Sequence, residues 1–258
     1  MRLRRALLTG WGRTNPSPAT VVRPRTTAEL AAVLRSAADG RGAVARGLGR
    51  CYGDAAQNAG GLVVDCADLN PGFRLDADAG TVTAAAGTSL DALLRHLLPR
   101  GFFLPVTPGT RQVTVGGAVA ADVHGKNHHA DSSFGAHLRS LTLVTPDGAV
   151  RRVGPDREAD LFWATVGGMG LTGVVTEATF TVLPVATSRM RVDTDRVADL
   201  DAALALLAES DRTHRYSVCW VDLLARGRSL GRGVLTRARH AAVADLPPAA
   251  RRDPLRHR

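Results

Sequence analysis

Three glycine clusters set the limits on this chain: ARGLGRCYGDAAQN at 45–58, GTRQVTVGG at 109–117 and VGGMGLTG at 166–173. Glycine reaches backbone conformations closed to other residues and lets a ligand or a second backbone come close, so such clusters fix where a chain turns and where it can bind. What each can do depends on its flanks. The first lies between two short β-type runs, GAVAR and GLVVD. Gly47, Gly49 and Gly53 would let consecutive amides point inward as a nest for an anion, and no Gly-Lys-Ser/Thr follows, which disfavours a magnesium nucleotide. These residues alone fit an anion nest and an ordinary glycine-rich loop equally well. The third cluster spells G-x-G-x-x-G from Gly168 to Gly173. A dinucleotide fingerprint follows a strand and opens a helix, whereas these glycines follow the helical ADLFWATV and lead into a β-branched run, so they read as a helix end and a turn. The second cluster couples Thr114 and a double glycine to Ala118, Ala120 and Ala121, small residues that admit a flat ligand.

Around these clusters the pattern is α+β. TTAELAAVLRSAADG at 26–40 opens on a capping box, Thr26 with Glu29, and carries Leu30, Val33 and Leu34 on one face, which predicts a helix closed by Gly40. ATVVRP before it and GAVARG after it read as strands. A second lobe starts with a hairpin around Ala79-Gly80 and the helix SLDALLRHLLPRG, with Leu90, Leu93, Leu94 and Leu97 inward. It continues through a hairpin turned at Pro146-Asp147-Gly148, a helix READLFWATVGG and a strand GVVTEATFTVLP. From residue 186 a new pattern begins: a strand at 188–192, a helix VADLDAALALLAES and a strand RYSVCWVDLL. Beyond Ala225 apolar periodicity fades, and the sequence reads as a basic tail.

The net charge of +9 raises nucleic acid as a partner, and its distribution argues against that. Residues 1–25 carry six arginines and no acid, residues 226–258 nine arginines against two aspartates, and the stretch between them 18 basic against 22 acidic residues. Basic ends without an aromatic stacking pattern or a helix-turn-helix fit solvated tails, or an anionic membrane surface, better than a nucleic-acid reader. Cys51, Cys66 and Cys219 form no Cys-x-x-Cys pair, and no secretory leader is read at the N-terminus, so a cytoplasmic or membrane-peripheral protein is expected, the periplasmic side remaining open. His124, His128 and His129 lack carboxylate or cysteine companions at ligand spacing, so no metal is expected.

The segments ARGLGRCYGDAAQNAGGLVVD, PGTRQVTVGGAVAADVHGKNHHADSSFGAHLRS and LFWATVGGMGLTGVV resemble the FAD-binding (PCMH-type) domain of the vanillyl-alcohol-oxidase-type flavoproteins. HGKNHH after TVGG sets the chain apart from the sugar-lactone and alditol oxidases and points to the branch of actinobacterial cell-wall enzymes that oxidise the C2 hydroxyl of a polyprenyl-phosphoryl ribose for arabinan synthesis. The resemblance implies an N-terminal segment at 1–15, a two-lobed FAD-binding domain at 16–185, and at 186–258 the start of a truncated α+β substrate domain with a basic tail. It places Ala45, Arg46, Gly47, Leu48, Gly49, Arg50, Cys51, Tyr52, Gly53, Asp54 and Ala55 around the FAD diphosphate, and Gly109, Thr114, Val115, Gly116 and Gly117 on its other side. Ala121, Asp122, Val123 and His124 would run beside the isoalloxazine, and Val175 would touch the adenosine. Where many relatives carry a histidine linked to the flavin, this chain has Arg50 or Cys51, so FAD is expected to be held non-covalently.

His124, Gly125 and Lys126 are then candidates for the mouth of the substrate site, with Lys126, the one lysine of the sequence, suited to a substrate phosphate. The partners implied are a polyprenyl-phosphoryl sugar and a short-chain reductase that completes an epimerase pair. The family's catalytic lysine falls in sequence that this chain lacks, so no catalytic residue is assigned. The alternative expectation is a non-catalytic FAD-binding fragment that needs a separate C-terminal chain.

Overall fold

The computed structural model describes residues 2–37 and 40–256. Strands β1 (Arg4–Leu8) and β2 (Ser17–Val22) pair antiparallel, with Ala6 opposite Ala19. Helix α1 (Thr27–Ser36) follows, then β3 (Ala43–Arg46) and β4 (Leu62–Asp65), which pair parallel and complete a sheet of order β1-β2-β4-β3. The residues expected to precede the domain thus supply an edge strand of its first sheet. In α1 the Thr26 hydroxyl accepts from the Glu29 amide at 3.1 Å, while the Glu29 carboxylate reaches one residue further back than a capping box requires, to the Arg25 amide at 2.7 Å. The helix stops at Ser36, short of the expected Gly40, where the Ala37 amide is shared between the Val33 and Leu34 carbonyls. Ala38 and Asp39 of the expected helix lie outside the described residues, as do Met1 and the final His257 and Arg258.

The hairpin β5 (Phe73–Asp76) and β6 (Thr81–Ala85) turns at Gly80, whose φ of 61° suits glycine. Helix α2 (Leu90–Leu97) buries Leu90, Leu93, Leu94 and Leu97 as its spacing predicts. Next come the two-residue β7 (Phe102–Phe103), α3 (Val115–Ala120) and the single-turn α4 (His128–Asp131). Strands β8 (Leu138–Val144) and β9 (Val150–Val153) turn at Gly148, α5 (Ala159–Thr165) follows, and β10 (Val174–Thr181) returns to the middle of an antiparallel sheet of order β5-β6-β10-β8-β9. A bulge between Val175 and Glu177 shifts the β10 register against β8. Leu30, Val33 and Leu34 of α1 pack with Val22 and Val64 of the first sheet and Val144 and Val174 of the second, which joins the two sheets in one core.

The chain then runs through β11 (Leu183–Pro184), β12 (Met190–Val197), α6 (Leu200–Ser210), β13 (Tyr216–Val221) and β14 (Gly233–His240). Here the sequence expectation fails. The supposed tail beyond Ala225 contains β14, the central strand of a sheet of order β12-β14-β13, so RYSVCWVDLL and the strand before it both have a partner. Arginines hide the pattern of β14: Leu235 is fully buried with Val197 and Ala203, while Arg237, two residues on, ion-pairs with Asp195 on the neighbouring strand at 2.5 Å. The opposite face of this sheet is apolar and exposed at Val192, Val218 and Trp220. The chain divides into two compact units, Met1–Leu94 with Gly109–Val123 and Phe134–Val182, and Arg95–Pro108 with His124–Ser133 and Leu183–Arg258. This division also differs from the expected single break near residue 185, because two inner segments, 95–108 and 124–133, belong to the second unit.

Candidate functional site

Within the first unit the loop from Gly47 to Ala56 leaves β3 and its backbone turns inside out. Among the described residues no amide of 47–56 donates a hydrogen bond within the protein. The carbonyls are engaged instead: Leu48 O accepts from the Arg50 guanidinium at 2.7 Å, Cys51 O from the Trp11 amide at 2.6 Å, Asp54 O from the Gln57 amide at 2.8 Å and Ala56 O from Arg46 at 3.0 Å. A run of unused amides beside engaged carbonyls is compatible with the anion nest that the sequence allowed. Gly49 holds a φ of 64°, and a Cβ on Gly47 would overlap the Thr114 hydroxyl, so the loop lies directly against the second cluster.

That second cluster contributes surface rather than donors. The Val115, Gly116 and Gly117 amides are taken by Thr88 O, Ala86 O and Thr114 Oγ1 at 2.9, 2.8 and 3.1 Å. Thr114 caps α3, whose Gly116 approaches Ala86 so closely that an added Cβ would lie 3.0 Å from the Ala86 Cβ. The result is a flat wall of small residues. Two adjoining cavities share Ala45, Gly47, Thr114, Gly117, Ala120 and Met169, and together they make one cleft.

Of the residues expected around a cofactor, Ala45 to Cys51 and Ala55 line this cleft, as do Thr114, Gly116, Gly117, Ala121, Val123 and Val175. Tyr52, Gly53 and Asp54 form the exposed tip of the loop, Gly109 is exposed, and Val115 is buried in the core beneath the wall. Asp122 turns its carboxylate to the Gly135 amide at 2.7 Å. His124, Gly125 and Lys126 belong to the second unit, where the Lys126 carbonyl accepts from the Ser217 amide of β13 at 2.8 Å. Asn127, fully buried beside them, donates to Pro105 O and to Asp131, which in turn pairs with Arg215 at 2.6 Å. The Lys126 and His124 side chains are exposed.

The sequence reading missed the third cluster's part. It does follow a helix and precede a strand, as read, but Met169, Gly170 and Gly173 also line the cleft. Positive φ at Gly167, Met169, Gly170 and Gly173 folds this turn back so that the Gly167 and Met169 amides bond Val119 O and Ala120 O of α3. The signal was present in the density of glycines, which a simple helix end does not need. Cys66 also lines the cleft, with burial pushing its thiol pKa up to about 12, so it is inert packing.

A family described as FAD binding domain matches residues 18–154, more than half of the 258. This chain belongs to that FAD-binding family. The residues of the cleft fit such a cofactor: the free amides of 47–56 could donate to a diphosphate, and the wall of glycine and alanine, which a larger side chain would fill, leaves room for a flat ring or a ribityl chain. The chain is also similar to several known proteins. Decaprenylphosphoryl-β-D-ribose oxidase of Mycolicibacterium smegmatis is 45% identical over 255 residues, covering 96% of this chain and 55% of the relative. An uncharacterized Streptomyces coelicolor protein from the mprA 5′ region is 49% identical over 167 residues, 65% of this chain and 45% of that protein. L-gulono-1,4-lactone dehydrogenase of Mycobacterium tuberculosis is 31% identical over 172 residues, 66% of this chain and 39% of the enzyme. The chain therefore spans about half the length of these relatives. Among the described residues no helix is long and apolar enough to cross a membrane.

Proposed function

We propose that this chain is the FAD-binding portion of an oxidoreductase that oxidises the C2 hydroxyl of a polyprenyl-phosphoryl ribose. The observation that carries the reading is the reach of the similarity. The lactone dehydrogenase matches only 66% of the chain, whereas the M. smegmatis oxidase matches 96% of it, through HGKNHH and the second unit. Similarity that extends beyond the cofactor domain into the second unit favours the oxidoreductase over a non-catalytic fragment.

Bound FAD supplies hydride acceptance, the chemically hard part of alcohol oxidation. The chain's own share is to hold the diphosphate on the 47–56 amides, to present the cofactor against the α3 wall and to keep larger groups out of the cleft. His124, Gly125 and Lys126 are the proposed substrate mouth, with the exposed Lys126 ammonium as the group that attracts a phosphate. No residue of this chain is assigned as the base that takes the hydroxyl proton. A short-chain reductase acting on the oxidised sugar is the proposed partner, and the protein would work in the cytoplasm or peripherally at a membrane surface, where its lipid-linked substrate resides.

Anaerobic mixing of the FAD-loaded chain with decaprenylphosphoryl-β-D-ribose, alone and with the part of the M. smegmatis oxidase that the similarity leaves uncovered, tests this. Loss of flavin absorbance in the supplemented mixture is expected. Loss with L-gulono-1,4-lactone and none with the ribose lipid would overturn the substrate assignment.

A further inference from the structure

The free amides of the 47–56 loop need something to hold the loop open, because ten residues whose amides donate to no protein acceptor gain no stability from backbone pairing of their own. Arg46 stands at the start of this loop. Its Nη1 donates to Ala56 O at 3.0 Å, at the loop's far end, and its Nη2 donates to Thr9 O at 2.6 Å. One guanidinium thus closes the loop like a drawstring and ties it to the segment after β1. That segment is fitted to the loop throughout: the Trp11 amide bonds Cys51 O, and a Cβ on Gly10 or Gly12 would overlap the carbonyls of Cys51, Gly53 or Tyr52. Gly49 lies over the guanidinium so closely that a Cβ there would overlap Nη2.

Among the described residues no carboxylate pairs with Arg46, unlike Arg23, which pairs with Asp65 and Asp68. Its charge is balanced by neutral carbonyls alone, at the edge of the cleft that it lines. An unpaired, part-buried guanidinium beside unused amides adds to the potential that favours an anion.

We propose that Arg46 is a positioning residue for the FAD diphosphate, acting through the backbone: it holds the 47–56 loop in the conformation that leaves its amides free and supplies positive charge, without a paired carboxylate among the described residues, beside them. The proposal rests on the FAD assignment of the cleft. It gives the TGWGR segment a role as the loop's anchor, and it explains why Arg46 donates both to the Ala56 carbonyl at the loop's far end and to the Thr9 carbonyl of that segment.

The test is fluorescence titration of the flavin-free chain with FAD and with riboflavin, which lacks the diphosphate, for the parent, Arg46→Gln, Arg46→Lys and Gly49→Ala. Arg46→Gln is expected to weaken FAD binding by about tenfold or more, in line with the loss of charge-assisted contacts, and to leave riboflavin binding within about twofold. Arg46→Lys should recover part of the loss by restoring charge and one carbonyl contact. FAD affinity unchanged in a folded Arg46→Gln, or FAD and riboflavin weakened equally, would overturn the proposal. If Arg46→Gln does not fold, Arg46→Lys decides by the same ratio; Gly49→Ala, which displaces the guanidinium and, at a φ of 64°, also strains the loop itself, should weaken FAD more than riboflavin. A parent chain that takes up no FAD would overturn the family reading of the cleft, whereas a parent that binds FAD as tightly as Arg46→Gln does would overturn only the role of Arg46.

Discussion

Gly47 and Thr114 meet where the two loops of the cleft touch, and the contact leaves no room for a methyl group. Gly47→Ala should lower stability by about 1–3 kcal/mol, the usual penalty of overpacking, and weaken FAD retention more than Gly117→Ala, whose Cβ would sit 3.1 Å from the same hydroxyl. Thermal denaturation with and without FAD checks this; equal behaviour of the two variants would contradict the packing described. Arg50, one of the two residues, with Cys51, expected where covalent relatives carry histidine, has its guanidinium carbon 5.2 Å from the Trp11 ring centroid and an Nη on Leu48 O. FAD should therefore leave the protein on acid precipitation, and yellow colour in the pellet would show a covalent link. At this scale the sequence was readable where a residue's role is local: the Thr26 cap and the Gly80 and Gly148 turns follow from neighbours a few positions away. It was not readable for Arg46, whose partners, Thr9 and Ala56, lie 37 and 10 residues off and are main-chain atoms that carry no side-chain signature.

Among the elements, α1 and α2 were legible because their leucines recur at helical spacing and are the residues that become buried. Strand β14 was not, because the face that buries Leu235 carries arginines at the next positions, Arg237, which is held by an ion pair with Asp195, and Arg239, which is exposed. Leu235→Ala tests its place as a core strand and should cost about 2–5 kcal/mol in urea denaturation; an unchanged midpoint would return the segment to a tail. His240, at the end of β14, accepts or donates a 3.0 Å bond with the Tyr216 hydroxyl and meets the Phe103 ring edge to face. Burial first, and the nearby Arg215 charge second, hold its pKa below the ordinary imidazole value, so the folded state favours the neutral ring. The unfolded chain then binds the proton more readily. Stability from this site is full above the ordinary imidazole pKa of about 6.5 and falls as the pH drops through that value toward the lower folded one. His240→Gln should flatten the loss of thermal stability between pH 7 and about 5; an identical pH profile would remove the site from the account.

For the whole molecule, the α+β class and the first-unit cleft followed from the pattern of strands and glycines, while the division into two units did not, since it depends on inner segments 95–108 and 124–133 packing with residues far along the chain. The central claim is that the amides of 47–56 are the cofactor's anion site. Hydrogen exchange followed by mass spectrometry, with and without saturating FAD, tests it most directly, because amides that donate nowhere in the protein should exchange freely until a ligand accepts from them. Protection of the 47–56 segment on adding FAD, with little change on adding riboflavin, is the predicted result. Protection confined to other segments, with 47–56 exchanging at the same rate in both states, would contradict it.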